Sequence, residues 1–292
     1  MSEEVFLKAG MISGRSLVDE YLRLHPSTSE VFNETIVAGC GVVSGTELVE
    51  QHFDPMIDWI YSRIRDLVFA SNLGIEEAKM YIGELSIFAR YNSTLLLRAA
   101  EAVRGFCPEL SHELTRNFLE EGGDRGKLPA HYVIFTGALI HDLGFRVNGW
   151  FPQVSATLAL TAIIDLLAWS HCPSTVLGMY YATEAVAVDE TKQLMEVTNR
   201  LGELLKRGTG PELEKLDFYY RMHLDDAHEA ATDGVPVEQG HQEGISRFIK
   251  DCETFGFMQP QIIDGFLQMI YPFSNQWTEI KALIDSDGSH KN

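Results

Sequence analysis

The chain has 292 residues, 45% hydrophobic and 22% charged, a composition that fits an ordinary globular protein with enough apolar side chains for a large core. Its 42 acidic against 23 basic residues leave a formal net charge of −19, which opposes binding to nucleic-acid phosphates and to anionic lipid. Cys40, Cys107, Cys172 and Cys252 are scattered without a Cys-x-x-Cys pair, which argues against a thiolate zinc site and a disulfide framework, and the acidic MSEEVFLKAGM has no signal-type apolar run. The longest apolar stretch, ATLALTAIIDLLAW, is interrupted by Asp165 and too short to cross a bilayer, so a cytoplasmic protein with no membrane or nucleic-acid partner is expected.

In chain order, residues 1–45 read as an N-terminal extension packed on the main body. GRSLVDEYLRLH forms a short amphipathic helix there, and VFNETIVAGCGVVSG a glycine-punctuated loop with room for a short strand. From Thr46 the apolar spacing is helical. TELVEQHFDPMIDWIYSRIRDLVFA repeats apolar residues every three or four positions with a bend expected at Pro55, and IEEAKMYIGELSIFARYNSTLLLRAAEAVR is long enough to span a domain. PELSHELTRNFLEE opens on Pro108 and closes on glycines; AHYVIFTGALIHDLGF and ATLALTAIIDLLAWS are apolar on nearly every side, the mark of helices buried among others. PSTVLGMYYATEAVAV, DETKQLMEVTNRLGELLKRG, PELEKLDFYYRMHLDDAHEAATDG, VEQGHQEGISRFIKDCETFGF and PQIIDGFLQMIYPFSNQWTEIKALI complete the helices. No segment alternates with period two over a strand's length, so the fold class is all-α. Roughly eight to eleven helices form one bundle domain over 46–284, with a disordered tail at 285–292.

Three stretches carry candidate chemistry. In NFLEEGGDRGKLPAH, Glu121 and His131 stand ten residues apart across glycines and a proline, and they face one point only if the chain folds back there. The plain alternative makes Glu120 and Glu121 solvated helix-end acids and His131 a capping or core histidine. Glu184 lies among apolar neighbours in YYATEAVAV, and a buried carboxylate needs a partner, either a metal or a hydrogen bond from Tyr or Arg. In FYYRMHLDDAHEAA, Asp225 and His228 stand three positions apart and share one helical face. His223, five positions from His228, joins them only if the helix is locally distorted, for which a π-bulge is the usual device; otherwise it lies outside the cluster. Together these residues form an oxygen and nitrogen set suited to ferrous iron.

The order and spacing of these residues resemble the haem-oxygenase-like di-iron oxidases and oxygenases, the group that includes CADD-like proteins and the thiaminase II and pyrroloquinoline quinone synthase (TenA/PqqC-type) folds. The likeness covers roughly residues 75–230 and rests on Glu121, the loop GGDRG, His131, the helix HYVIFTGALIHDLGF and TVLGMYYATE with Glu184. It implies a haem-oxygenase-like up-and-down bundle of about seven core helices, two ferrous ions, O₂ as co-substrate, an electron donor and a small organic substrate in an enclosed pocket. The resemblance assigns Glu121, His131, Glu184, Asp225 and His228 as metal ligands, with His223 as a sixth. The last motif departs from the family pattern, because Arg221 stands where the first His belongs and His223 is offset by two. That departure leaves open an asymmetric centre, a single metal, or a bundle that kept the fold without oxidase activity. Arg221 is then available for a substrate carboxylate, Tyr180 and Tyr181, close in sequence to Glu184, are further substrate-binding candidates, and a homodimer is expected from type.

Three rivals compete with this reading. ALIHDLGF resembles the doublet of HD-type phosphohydrolases, with His141 and Asp142 as ligands, His112 upstream and Asp165 downstream, although Phe145 replaces the usual Lys. Cys172 is the candidate nucleophile of a metal-free, thiaminase-like hydrolase. The third rival is a non-catalytic helical protein that encloses a small molecule.

Overall fold

The computed structural model describes residues 16–69, 73–123, 127–169, 172–225 and 237–289. The Ser16 hydroxyl accepts from the Val18 amide to start α1 (Leu17–Leu24), and Pro26 opens α2 (Pro26–Ala38), which ends at Gly39 with φ 68°. The stretch expected to be a loop with a short strand is therefore helical as far as Ala38. Phe32 and Thr35, one turn apart, are buried, and glycine does not intervene until position 39. Leu17, Val18 and Tyr21 are buried as well, which seats these first helices on the main body.

A turn at Gly45–Glu47 leads into a π-helical stretch, Leu48–Phe53, that runs directly into α3 (Asp54–Phe69). The bend expected at Pro55 thus takes the form of a widened turn just ahead of it, where a proline ring clashes with a regular α turn. Next come α4 (Ile75–Val103), α5 (Pro108–Glu121), α6 (His131–Ala138) with a second π stretch Leu139–Leu143, α7 (Ser155–Trp169) and α8 (Pro173–Leu204). The chain closes with α9 (Glu214–Leu224), α10 (Val237–Lys250) and α11 (Gln259–Ser289), the last running past the tail boundary expected at 285. No strand occurs among the described residues, so the protein is the all-α bundle its sequence indicates.

The long helices α8 and α11 form the central pair, flanked by α4, α7, α3 and α10. They approach closely because each contributes a glycine to the crossing. A side chain at Gly178 would collide with the backbone at Ile262, and one at Gly265 with the backbone at Thr175. Phe53 and Phe266 stack over this crossing with ring centroids 3.9 Å apart. Helices α5, α6, α9 and α10 gather on the other side of α8, and their inward faces carry the polar groups described next.

Candidate metal centre

The fold-back that the glycines call for is present. After α5 ends at Glu121, Gly123 adopts φ 97°, and its carbonyl accepts the Leu128 amide at 3.1 Å, so the chain returns to begin α6 at His131. Glu121 Oε1 and His131 Nδ1 come within 3.4 Å, and His223 Nε2, from α9, lies 3.2 Å from the same His131 nitrogen. One ligand atom from each of the three lies within 4.8 Å of the others. His131 and His223 are 6% and 2% exposed, so the cluster belongs to the interior.

Which nitrogen is available follows from hydrogen bonding. His223 Nδ1 stands 2.7 Å from the Tyr219 carbonyl, which can only accept, so Nδ1 carries the proton and Nε2 turns its lone pair toward His131. Burial, reinforced by His131, depresses His223 to about 4 and keeps it neutral near pH 7. Burial, the largest single influence, would raise the Glu121 carboxyl, but the contact with His131 together with the nearby His223 and His241 imidazoles outweighs it and holds the group below the usual carboxylate range. Atoms about 2.1 Å from one metal ion stand roughly 3.0 to 3.4 Å apart in octahedral or tetrahedral arrangement. The contacts of 3.2 and 3.4 Å match those spacings before any ion is added.

A second polar group adjoins the first. Glu184 on α8 is 3% exposed, and its Oε2 faces His241 Nδ1 of α10 at 3.4 Å, while Oε1 has no hydrogen-bond partner among the described residues. The other His241 nitrogen, Nε2, lies 2.7 Å from Glu120 Oε2, and Arg116 holds both Glu120 oxygens at 2.9 Å. His241 is close enough to bear on the ionisation of both Glu121 and His223. The Tyr180 hydroxyl, one turn before Glu184, is buried without a partner among the described residues, and burial together with the Glu184 charge raises its pKa far above the usual phenol value.

His241 is the functional candidate that sequence reasoning missed, and Glu120 the one it set aside as a solvated acid. A signal for His241 existed in GHQEGISRFIK. Ile245, Phe248 and Ile249 follow it at helical spacing and are fully buried, which puts His241 on the inward face.

The remaining candidates fall elsewhere. α9 ends at Leu224, and Asp225 is an extended cap whose carboxylate accepts from Arg221 Nε at 3.3 Å. His228 lies outside the described residues. His223 joins the cluster from a regular turn of α9, and the π stretches occur at Leu48–Phe53 and Leu139–Leu143 instead. Arg221 is on the exposed side of α9, where with Val133 and Phe218 it lines an open cleft of about 670 Å³ between α6 and α9. The Tyr181 hydroxyl donates to Asp54.

The HD-type doublet is engaged in the fold. Both Asp142 oxygens are committed, Oδ2 to the Lys215 and Leu216 amides at the start of α9 and Oδ1 to His141, while His112 is exposed on α5; the side chain of Asp165 lies outside the described residues. Cys172 caps α8 just before Pro173.

These features define an all-α bundle whose interior brings buried carboxylates and imidazoles together from five helices, α5, α6, α8, α9 and α10. No protein-family model and no curated protein matches the chain in sequence. In shape it is similar to a CADD-like protein of unknown function from Nostoc punctiforme. One crystal structure of that protein, at 19% identity, superposes with a TM-score of 0.61 over 88% of this chain and 98% of the other. A second, at 21% identity, gives 0.60 over 90% and 97%. The likeness establishes a CADD-like fold. No helix among the described residues is long and apolar enough to cross a membrane.

Proposed function

We propose that this protein is a non-haem iron oxidase or oxygenase that uses O₂ and an outside electron donor to oxidise a small organic molecule. The observation that carries the reading is the convergence of Glu121, His131 and His223, one ligand atom from each lying within 4.8 Å of the others in the interior. The donor set fits iron, one ionised carboxylate and two imidazoles, with the Tyr219 carbonyl fixing the tautomer of one. Glu184 supports a second ion beside the first, since its buried Oε1 has no donor among the described residues and His241 stands across from Oε2.

In this reading Glu121, His131 and His223 hold one iron, and Glu184 with His241 holds the other. Ferrous iron supplies the capacity to bind O₂ and pass electrons to it. The chain's own part is to exclude water and keep the ligands aligned. Phe135 packs on the Tyr219 ring at 4.9 Å, and Tyr219 on His223 at 4.3 Å, which walls the imidazole off from the cleft side. Tyr180 places a neutral hydroxyl beside Glu184.

The test is iron stoichiometry after anaerobic loading of the full chain with Fe²⁺. The wild-type chain is expected to retain iron and to show a transient visible absorbance on mixing with O₂. His131→Ala and Glu121→Ala should each lower the iron content and abolish the transient. A wild-type chain that retains no iron, or a His131→Ala variant that retains as much as wild type, would overturn the reading.

A further inference from the structure

The seam between α5 and α10 holds more charged groups than two packed helices need. Glu113, Arg116 and Glu120 lie on one face of α5, three and four residues apart. Arg116 reaches Glu113 Oε1 through Nη2 at 2.5 Å and Nε at 3.2 Å, and it clasps both Glu120 oxygens through Nη1 at 2.9 Å. Across the seam, Arg247 Nη2 approaches Glu113 Oε2 at 3.4 Å. Gly244 makes this packing possible, because a side chain there would collide with the Glu113 carboxylate. The ladder ends on His241, whose Nε2 lies 2.7 Å from Glu120 Oε2.

We infer that Glu120, clamped by Arg116, is a positioning residue for His241, fixing its proton on Nε2 and so setting Nδ1, the nitrogen that faces Glu184, as the ligand atom. An ionised carboxylate can only accept, and Glu120 Oε2 stands at hydrogen-bond distance from Nε2, 2.7 Å, whereas Glu184 Oε2 is 3.4 Å from Nδ1, so the closer Glu120 contact selects the Nε2–H tautomer. Arg116 holds both Glu120 oxygens, which keeps that carboxylate from acting as a ligand itself and leaves it one direction in which to receive a proton. The same arrangement, a carboxylate behind an imidazole, orients metal-bound histidines generally and raises their basicity. Adjacent residues at the end of α5 thus take different parts: Glu121 faces His131 directly, while Glu120 acts through His241. The inference rests on the two-ion reading above for its consequence, but not for its geometry.

Two measurements on the full chain test it. In metal-free protein labelled with ¹⁵N-histidine, and with His241→Ala used to assign the signal, His241 should carry its proton on Nε2. Glu120→Ala should spread the proton over both ring nitrogens, whereas Glu120→Gln, which keeps an acceptor oxygen, should largely preserve the tautomer. In Co²⁺ titrations followed by visible absorbance, His241→Ala should lose the second equivalent. Glu120→Ala and Arg116→Ala should weaken that equivalent by about 10- to 100-fold and leave the first unchanged. A wild-type His241 protonated on Nδ1, or on both nitrogens, overturns the inference, as does a Glu120→Ala chain with unaltered tautomer and Co²⁺ affinity. A wild-type chain that takes up no Co²⁺ removes the metal reading, and the tautomer measurements then decide the positioning role by themselves.

Discussion

Glu84 and Glu184 sit in similar sequence settings, YIGELSIF and YYATEAVAV, on two long helices, and both are buried, at 0% and 3% exposure. Their surroundings differ completely. Glu84 Oε1 accepts from the Trp150 indole and the Gln153 amide, each at 2.8 Å, and Oε2 from the Thr157 hydroxyl at 2.7 Å. Thr157 is held in turn by Gln276 at 2.8 Å. Glu184 has an imidazole nitrogen at 3.4 Å from one oxygen, and no donor among the described residues at the other. A buried acid whose donors are complete ties the fold together. One left short of donors marks the place where something other than the fold completes it.

The sharpest way to break this comparison is to remove Glu84. Glu84→Ala leaves the Trp150 indole N–H, a backbone amide and a hydroxyl without their acceptor in the interior, and it should cost about 3 kcal/mol. For a chain of this size that is roughly a 6 to 12 °C fall in Tm, measured by circular dichroism melting. Co²⁺ uptake by the folded variant should match wild type. Unchanged Tm, or lost metal, would mean that donor counting does not separate scaffold from site.

Asp142 is a second complete acid, and its removal should do somewhat less. Asp142→Ala strips the cap from two amides at the start of α9, the helix that carries His223, and is expected to cost about 1 to 2 kcal/mol. His141→Ala should leave metal content intact, since that exposed ring touches the protein through Asp142 rather than the centre. Loss of metal in His141→Ala would revive the phosphohydrolase reading.

Glu184→Gln should invert the Glu84 result. It removes an acid that the protein does not fully satisfy, so stability should change by less than about 1 kcal/mol, while the second equivalent of Co²⁺ is lost. A large destabilisation would place Glu184 in the same class as Glu84.

How far such distinctions could be read from sequence follows from where the deciding partners lie. The helices were legible because three- and four-residue periodicity is local, and the turn between Glu121 and His131 was legible because Gly and Pro allow little else there. The need of Glu184 for a partner was visible in its neighbours. The partner itself was not, because His241 comes from α10, and nothing in GHQEG says which helix it faces. Glu84 drew no notice for the same reason, as Trp150 and Thr157 are 66 and 73 residues away. The end of α9 was not legible either, since the helix stops at Leu224, one residue before Asp225, a boundary that apolar periodicity does not fix.

Glu190 gives the smallest test, on pH. It lies half-buried on α8, near the Tyr61 hydroxyl of α3, which is itself buried without a partner among the described residues, and burial pushes the Glu190 carboxyl up to about 8. The unfolded chain has this group at its ordinary 4.5, so folding takes up a proton between the two values. Stability from the protonated acid is therefore complete below about pH 4.5 and is lost as pH rises through about 8. Glutamine keeps the shape and cannot ionise. Glu190→Gln should melt within a degree or so of wild type near pH 5 and about 2 to 4 °C above it near pH 8.5. An equal gap at both pH values would mean that Glu190 titrates as a solvated acid, and that an incomplete donor set near α8 is no sign of an energetic cost.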